Sequence, residues 1–77
     1  MSPKQPRVTG MEVVRALKRA GWYVERTHGS HVYLKHPGYL HLRVTVAVHS
    51  GETIKPKTLQ SILKQAQLTV SEFLELL

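Results

Sequence analysis

From Thr9 onward the apolar residues first fall at helical spacing. Val13, Val14, Leu17 and Ala20 share one stripe, and Arg15, Lys18 and Arg19 take the wet side. Thr9-Gly10-Met11-Glu12 has the form of a capping box that opens this helix, and Gly21 suits the left-handed position that closes it. The period then shortens to two. Trp22 to Thr27 reads as a first strand, rich at its start in aromatic and β-branched residues. His31 to Lys35 reads as a second, and His36-Pro37-Gly38-Tyr39 supplies turn chemistry. His41 to Val48 has the cleanest alternation: Leu42, Val44, Val46 and Val48 face one way, and His41, Arg43, Thr45 and Ala47 the other. Gly51 and Glu52 end it. Pro56 opens a second helix, in which Leu59, Ile62, Leu63 and Ala66 keep i, i+3, i+4, i+7 spacing. Thr69-Val70-Ser71-Glu72 is another capping box, and it starts a short last helix with Val70, Phe73, Leu74 and Leu77 on one stripe.

The predicted order is α-β-β-β-α plus a terminal helical turn, an α+β fold. The economical arrangement is a three-stranded antiparallel sheet with the helices on one face. The other face is then solvated or meets a partner. If Val32 and Leu34 face the helices, His31, Tyr33 and Lys35 point outward, joined by Arg43 and Thr45 from strand three. That face carries imidazole, phenol, ammonium and guanidinium. The aromatic ring can stack on a base, and the cations can hold phosphate oxygens.

Length and charge narrow this picture. The 77 residues make one small domain with a modest core. Residues 1–8, polar and with two prolines, read as a flexible basic tail, and residues 9–77 as the domain. Eleven Lys and Arg against five Glu give a net charge of +6, which favours a polyanion. Charge alone does not separate RNA, DNA, an anionic membrane and an acidic protein. No apolar run approaches the ~18 residues of a membrane span. The absence of cysteine removes disulfides and thiolate zinc sites and suits a reducing cytoplasm.

The densest chemistry lies between strands one and two, at Gly29-Ser30-His31. Histidine suits proton transfer near neutral pH, glycine admits a ligand close to the backbone, and the turn offers N–H groups to an anion. Several chemistries are excluded. There is no aspartate, and the glutamates at 12, 25, 52, 72 and 75 are scattered, so a two-metal nuclease is improbable and a Ser-His-Asp triad impossible within this chain. There is no Walker A loop or dinucleotide fingerprint. His28-x-x-His31 lacks the further ligands of a zinc site, so no metal and no cofactor are expected. What remains is metal-free acid–base catalysis on RNA, which carries its own nucleophile in the ribose 2′-OH. His28, His31 and His49 are the candidates for proton transfer; His36 and His41 flank a turn and read as surface residues. The rival reading is a non-catalytic RNA-binding module that uses the same basic surface, and a further alternative is a structural protein-interaction domain whose outer sheet face binds a partner chain.

In order and spacing, Gly21-Trp22, Gly29-Ser30-His31, Lys35-His36-Pro37, Val44-Thr45-Val46 and the run Lys55 to Ala66 resemble HicA, the toxin of HicAB toxin–antitoxin modules. The resemblance spans Val13 to Leu74. It implies a double-stranded-RNA-binding-domain-like fold and an mRNA interferase neutralised by a HicB-like antitoxin. His31 maps onto the family's catalytic histidine and Gly29 onto the glycine of its motif. On this reading Ser30 and His28 belong to the phosphate-binding turn, and Lys35 and Arg43 are auxiliary phosphate contacts. The chain departs from the pattern at Val32, where many members carry a second histidine. It departs again at Ala47-Val48-His49, where many have proline, and at Gln67, where many have glycine.

Overall fold

The computed structural model describes residues 4–77 and has the expected order: α1 Gly10–Arg19, β1 Tyr23–His28, β2 His31–Lys35, β3 Val44–Ala47, α2 Pro56–Gln65 and α3 Val70–Leu76. The strands form an antiparallel meander, β1-β2-β3. Both capping boxes are present. Glu12 N–H donates to Thr9 Oγ1 at 3.2 Å while Thr9 N–H donates to Glu12 Oε1 at 2.9 Å. Thr69 and Glu72 repeat the arrangement at 3.1 and 2.9 Å. Each box satisfies N–H groups that a helix start leaves without partners.

α1 and α2 end alike. Trp22 N–H reaches back to Leu17 O and Gly21 N–H to Lys18 O; Leu68 N–H reaches Leu63 O and Gln67 N–H reaches Lys64 O. These are Schellman turns, which need a left-handed residue just past the helix. Gly21 takes that position at φ +98°, and Gln67 takes it at φ +57° despite its side chain.

Val32, Leu34, Val44 and Val46 turn inward, as the alternation requires, and Leu34, Val44 and Val46 are completely buried. Val13, Leu17, Leu59, Ile62 and Leu63 meet them from α1 and α2. α3 lies against α1 and inserts Phe73, also fully buried. Burying one phenyl group is worth ~2–3 kcal/mol, which holds a seven-residue helix too short to persist alone. Leu76 rather than Leu74 packs beside Phe73; Leu74 and Leu77 are exposed, unlike the predicted stripe.

Three predicted boundaries shift. Strand one begins and ends one residue later, because Trp22 N–H is used by the Schellman turn and the ring is buried in the core. Strand three is four residues long rather than eight. Its predicted start is held in turns instead, with Tyr39 N–H on His36 O and Leu42 N–H on Tyr39 O. Of the predicted tail, residues 1–3 lie outside the described residues. Gln5, Arg7 and Val8 contact the body of the fold. Gln5 Nε2 donates to Pro56 O at 2.7 Å, Arg7 reaches Thr53 Oγ1, Ile54 N–H donates to Val8 O at 2.7 Å, and Val8 is 3% exposed.

β1 is an edge strand that the helices leave uncovered. All six of its residues are exposed, including the inward-facing Val24 at 36%. Among the described residues no helix is long and apolar enough to cross a membrane.

Candidate functional site

Gly29 and Ser30 form a two-residue hairpin turn between His28 and His31, which pair directly. Gly29 has φ +59° and Ser30 does not have positive φ, the pattern of a type II′ turn with glycine first. A Cβ on Gly29 would meet nothing within 4 Å, so the turn needs glycine for its backbone angle, and the space over it is open to a ligand. Ser30 is half-buried; its carbonyl accepts from Val48 N–H at 2.7 Å, which ties the turn to the end of β3.

His31 faces outward at the end of β2, with His28 across on β1 and Ala47 across on β3. Directly opposed side chains of an antiparallel pair stand ~4.5–5.5 Å apart at Cβ, so the two imidazoles can serve one ligand. This pairing depends on a β-bulge. Val24 opposes Leu34, but Arg26, not Glu25, opposes Tyr33. The extra residue, Glu25, reverses the parity of everything after it. Regular alternation would keep Arg26 and His28 on the face of Val24. The bulge sends both to the outer face, beside Tyr33 and His31.

That face therefore carries Arg26, His28, His31, Tyr33, Lys35 and Thr45, with Arg43 leaning in from just before β3. Arg26 was not among the residues singled out from the sequence; the bulge that places it has no local signature. The guanidinium carbon of Arg26 lies 4.9 Å from the centre of the Tyr33 ring and that of Arg43 5.3 Å, each over the ring. In the unliganded chain the Tyr33 ring, expected from the sequence to stack on a base, is flanked by these two cations. Lys35 Nζ lies 3.5 Å from Glu25 Oε2, so its charge already has a counter-ion. No other ion pair occurs among the described residues.

The remaining histidines separate. His49 lies past β3 in a shallow groove shared with Ala47, Glu52, Lys55 and Thr58, beside the strand that pairs with His31. His41 is exposed on the 36–42 turn. His36 is structural, not a surface residue: its Nδ1 accepts from Gly38 N–H at 2.9 Å, which leaves Nε2–H to donate to Ala20 O at 3.1 Å. Its ring packs edge-on to Trp22 at 5.4 Å and against Tyr39 at 4.8 Å. Among the described residues no three His, Asp or Glu side chains gather as metal ligands would; His28 and His31 are a pair alone.

No curated protein matches the chain. The family model described as the HicA toxin of bacterial toxin–antitoxin modules matches residues 10–68, from the first residue of α1 to just past α2, and so covers the whole sheet and the Gly29-Ser30-His31 turn. The chain belongs to the HicA toxin family.

Proposed function

We propose that this toxin is an endoribonuclease that cleaves mRNA in the cytoplasm by histidine acid–base catalysis, without a metal ion. The observation that carries the reading is the cross-strand His28–His31 pair at an open turn, on a face of unpaired arginines. His31 takes the proton from a ribose 2′-OH. The 2′ oxygen bonds to the adjacent phosphorus, the P–O5′ bond breaks, and a second imidazole, His28, returns a proton to the departing 5′ oxygen. The basic face attracts the RNA backbone and holds it across the histidines. DNA lacks the nucleophile and is not a substrate. A HicB-like antitoxin, acidic against a chain of net charge +6, inhibits by covering His31 and the Gly29-Ser30 turn. The buried area is ~1,200–2,000 Å², the usual range for a stable specific pair.

The test is RNA incubated with the purified chain and with His31→Ala, each with and without EDTA. The variant, folded by circular dichroism, should lose ~10²–10⁴ in rate. EDTA should change nothing, and products should end in 2′,3′-cyclic phosphate or 3′-phosphate. Unchanged cleavage by folded His31→Ala, or 5′-phosphate ends, refutes the mechanism; RNA binding without cleavage by the parent chain makes the face a binding surface only.

A further inference from the structure

We infer that Arg26, Tyr33 and Arg43 form a phosphate clamp for the RNA strand, in which Tyr33 acts by positioning the two guanidiniums rather than by touching a base. The inference rests on the reading of the outer face as the RNA surface and adds two residues, Arg26 and Tyr33, with separate roles.

The argument begins with what the ring is occupied by. Tyr33 stands on the central strand. Arg26 reaches it from β1 at 4.9 Å and Arg43 from the β3 side at 5.3 Å. An exposed arginine ordinarily samples many rotamers, and binding must order it at a cost of ~0.5–1.5 kcal/mol per side chain. Stacking on an aromatic face removes part of that cost in advance and leaves the in-plane N–H groups directed to solvent. Those groups match the paired oxygens of a phosphate.

Charge accounting favours a polyanion. Lys35 is already paired with Glu25, whereas neither Arg26 nor Arg43 has a carboxylate partner among the described residues. Two cations held near one ring repel each other, and an anion that contacts both relieves that repulsion. Position favours the strand whose backbone passes the histidines. Arg26 and Tyr33 lie two residues along their strands from His28 and His31 on the same face, a step of ~7 Å. This is the order of the separation between successive phosphates on one strand. The clamp thus takes the phosphate next to the one the histidines address, and so fixes the register of the chain over His31.

The test is fluorescence anisotropy of a single-stranded RNA in the cleavage-impaired His31→Ala background, across a salt series. Arg26→Ala and Arg43→Ala should each weaken binding and reduce the log–log salt slope by ~0.7, one phosphate contact each. Tyr33→Leu keeps both charges. It should keep the salt slope but lose affinity by about two- to fivefold per guanidinium released. Tyr33→Phe, which keeps the ring, should restore it. In the parent chain the same variants should raise KM for RNA. Wild-type affinity and slope in Arg26→Ala overturns the clamp, and so does failure of Tyr33→Phe to rescue. Variants that weaken only binding of the acidic antitoxin assign these residues to the partner interface and overturn it too. Because binding is read without cleavage, a failure of the catalytic reading appears separately, as a normal rate in His31→Ala.

Discussion

Gly21→Ala tests how the fold joins its first helix to the turn after β2. Gly21 has φ +98°, beyond the small left-handed well near +60° that an L-residue can reach. Forcing alanine there costs roughly 1–2 kcal/mol. A second penalty comes from the space. The new Cβ would stand 2.6 Å from His36 Nε2, a contact that does not occur in real structures. The ring cannot simply step aside. Its two nitrogens bond Ala20 O and Gly38 N–H, and it packs against Trp22 and Tyr39. Displacing it forfeits one or two hydrogen bonds at ~0.5–1.5 kcal/mol each and a ring contact of similar size. Against this, alanine restricts the unfolded chain and returns ~0.4–1 kcal/mol. The net destabilisation is ~2–4 kcal/mol, a fall in Tm of about 10–25 °C for a domain this small. Thermal and urea unfolding followed by far-UV circular dichroism measure it. The steric share is isolated by making Gly21→Ala in a His36→Ala background, where only the backbone cost should remain. If Gly21→Ala costs as much without the imidazole as with it, the contact has no energetic weight and the reasoning fails.

Gln67 presents the same motif in reverse. Gln67→Gly should raise stability by ~0.5–1 kcal/mol, because relief of the left-handed strain at φ +57° exceeds the added freedom of the unfolded chain; an unchanged urea midpoint would count against it. Acid should weaken the helix starts. Hydrogen bonds from the Thr9 and Thr69 backbones, then from their side chains, hold Glu12 and Glu72 below the usual carboxylate range. Their stabilisation is complete above the unfolded value near ~4.3 and is lost as pH falls through the lower folded value. Urea unfolding between about pH 6 and about pH 3 should therefore show a slope that the double variant Glu12→Gln, Glu72→Gln flattens. A slope unchanged in that variant would assign the acid sensitivity to other groups.

Local rules made most of this molecule legible. Both capping boxes are four-residue patterns, and each has one physical solution. The inward set Val32, Leu34, Val44 and Val46 followed from strict alternation, and so did the outward placement of His31, Tyr33 and Lys35. What escaped were features set by contacts distant in sequence. Val8 looked like part of a polar tail because its partner, Ile54, is far along the chain. His36 looked like a surface residue because Ala20 and Trp22, which hold it, come before the whole first hairpin. Strand three looked twice its length because the turn bond of Leu42 breaks no hydrophobic pattern. Above all, Glu25 carries no glycine or proline to announce a bulge, so half the basic face could be assigned only from the strand register.

The exposure of β1 reaches beyond packing. A strand that gains little from the core is held mainly by its ladder to β2, and such elements open at a fraction of the free energy needed to unfold the whole chain. Arg26 and His28 ride on that strand; Tyr33 and His31 ride on its anchored neighbour. An anion that engages both strands acts as a cross-strand fastener, and the free energy of holding the hairpin shut is linked to the free energy of holding the anion. On the proposed reading the protein is most open at this edge when empty and most ordered there when RNA is bound, so the readiness of the first hairpin to part and its proposed hold on RNA are two readings of one equilibrium.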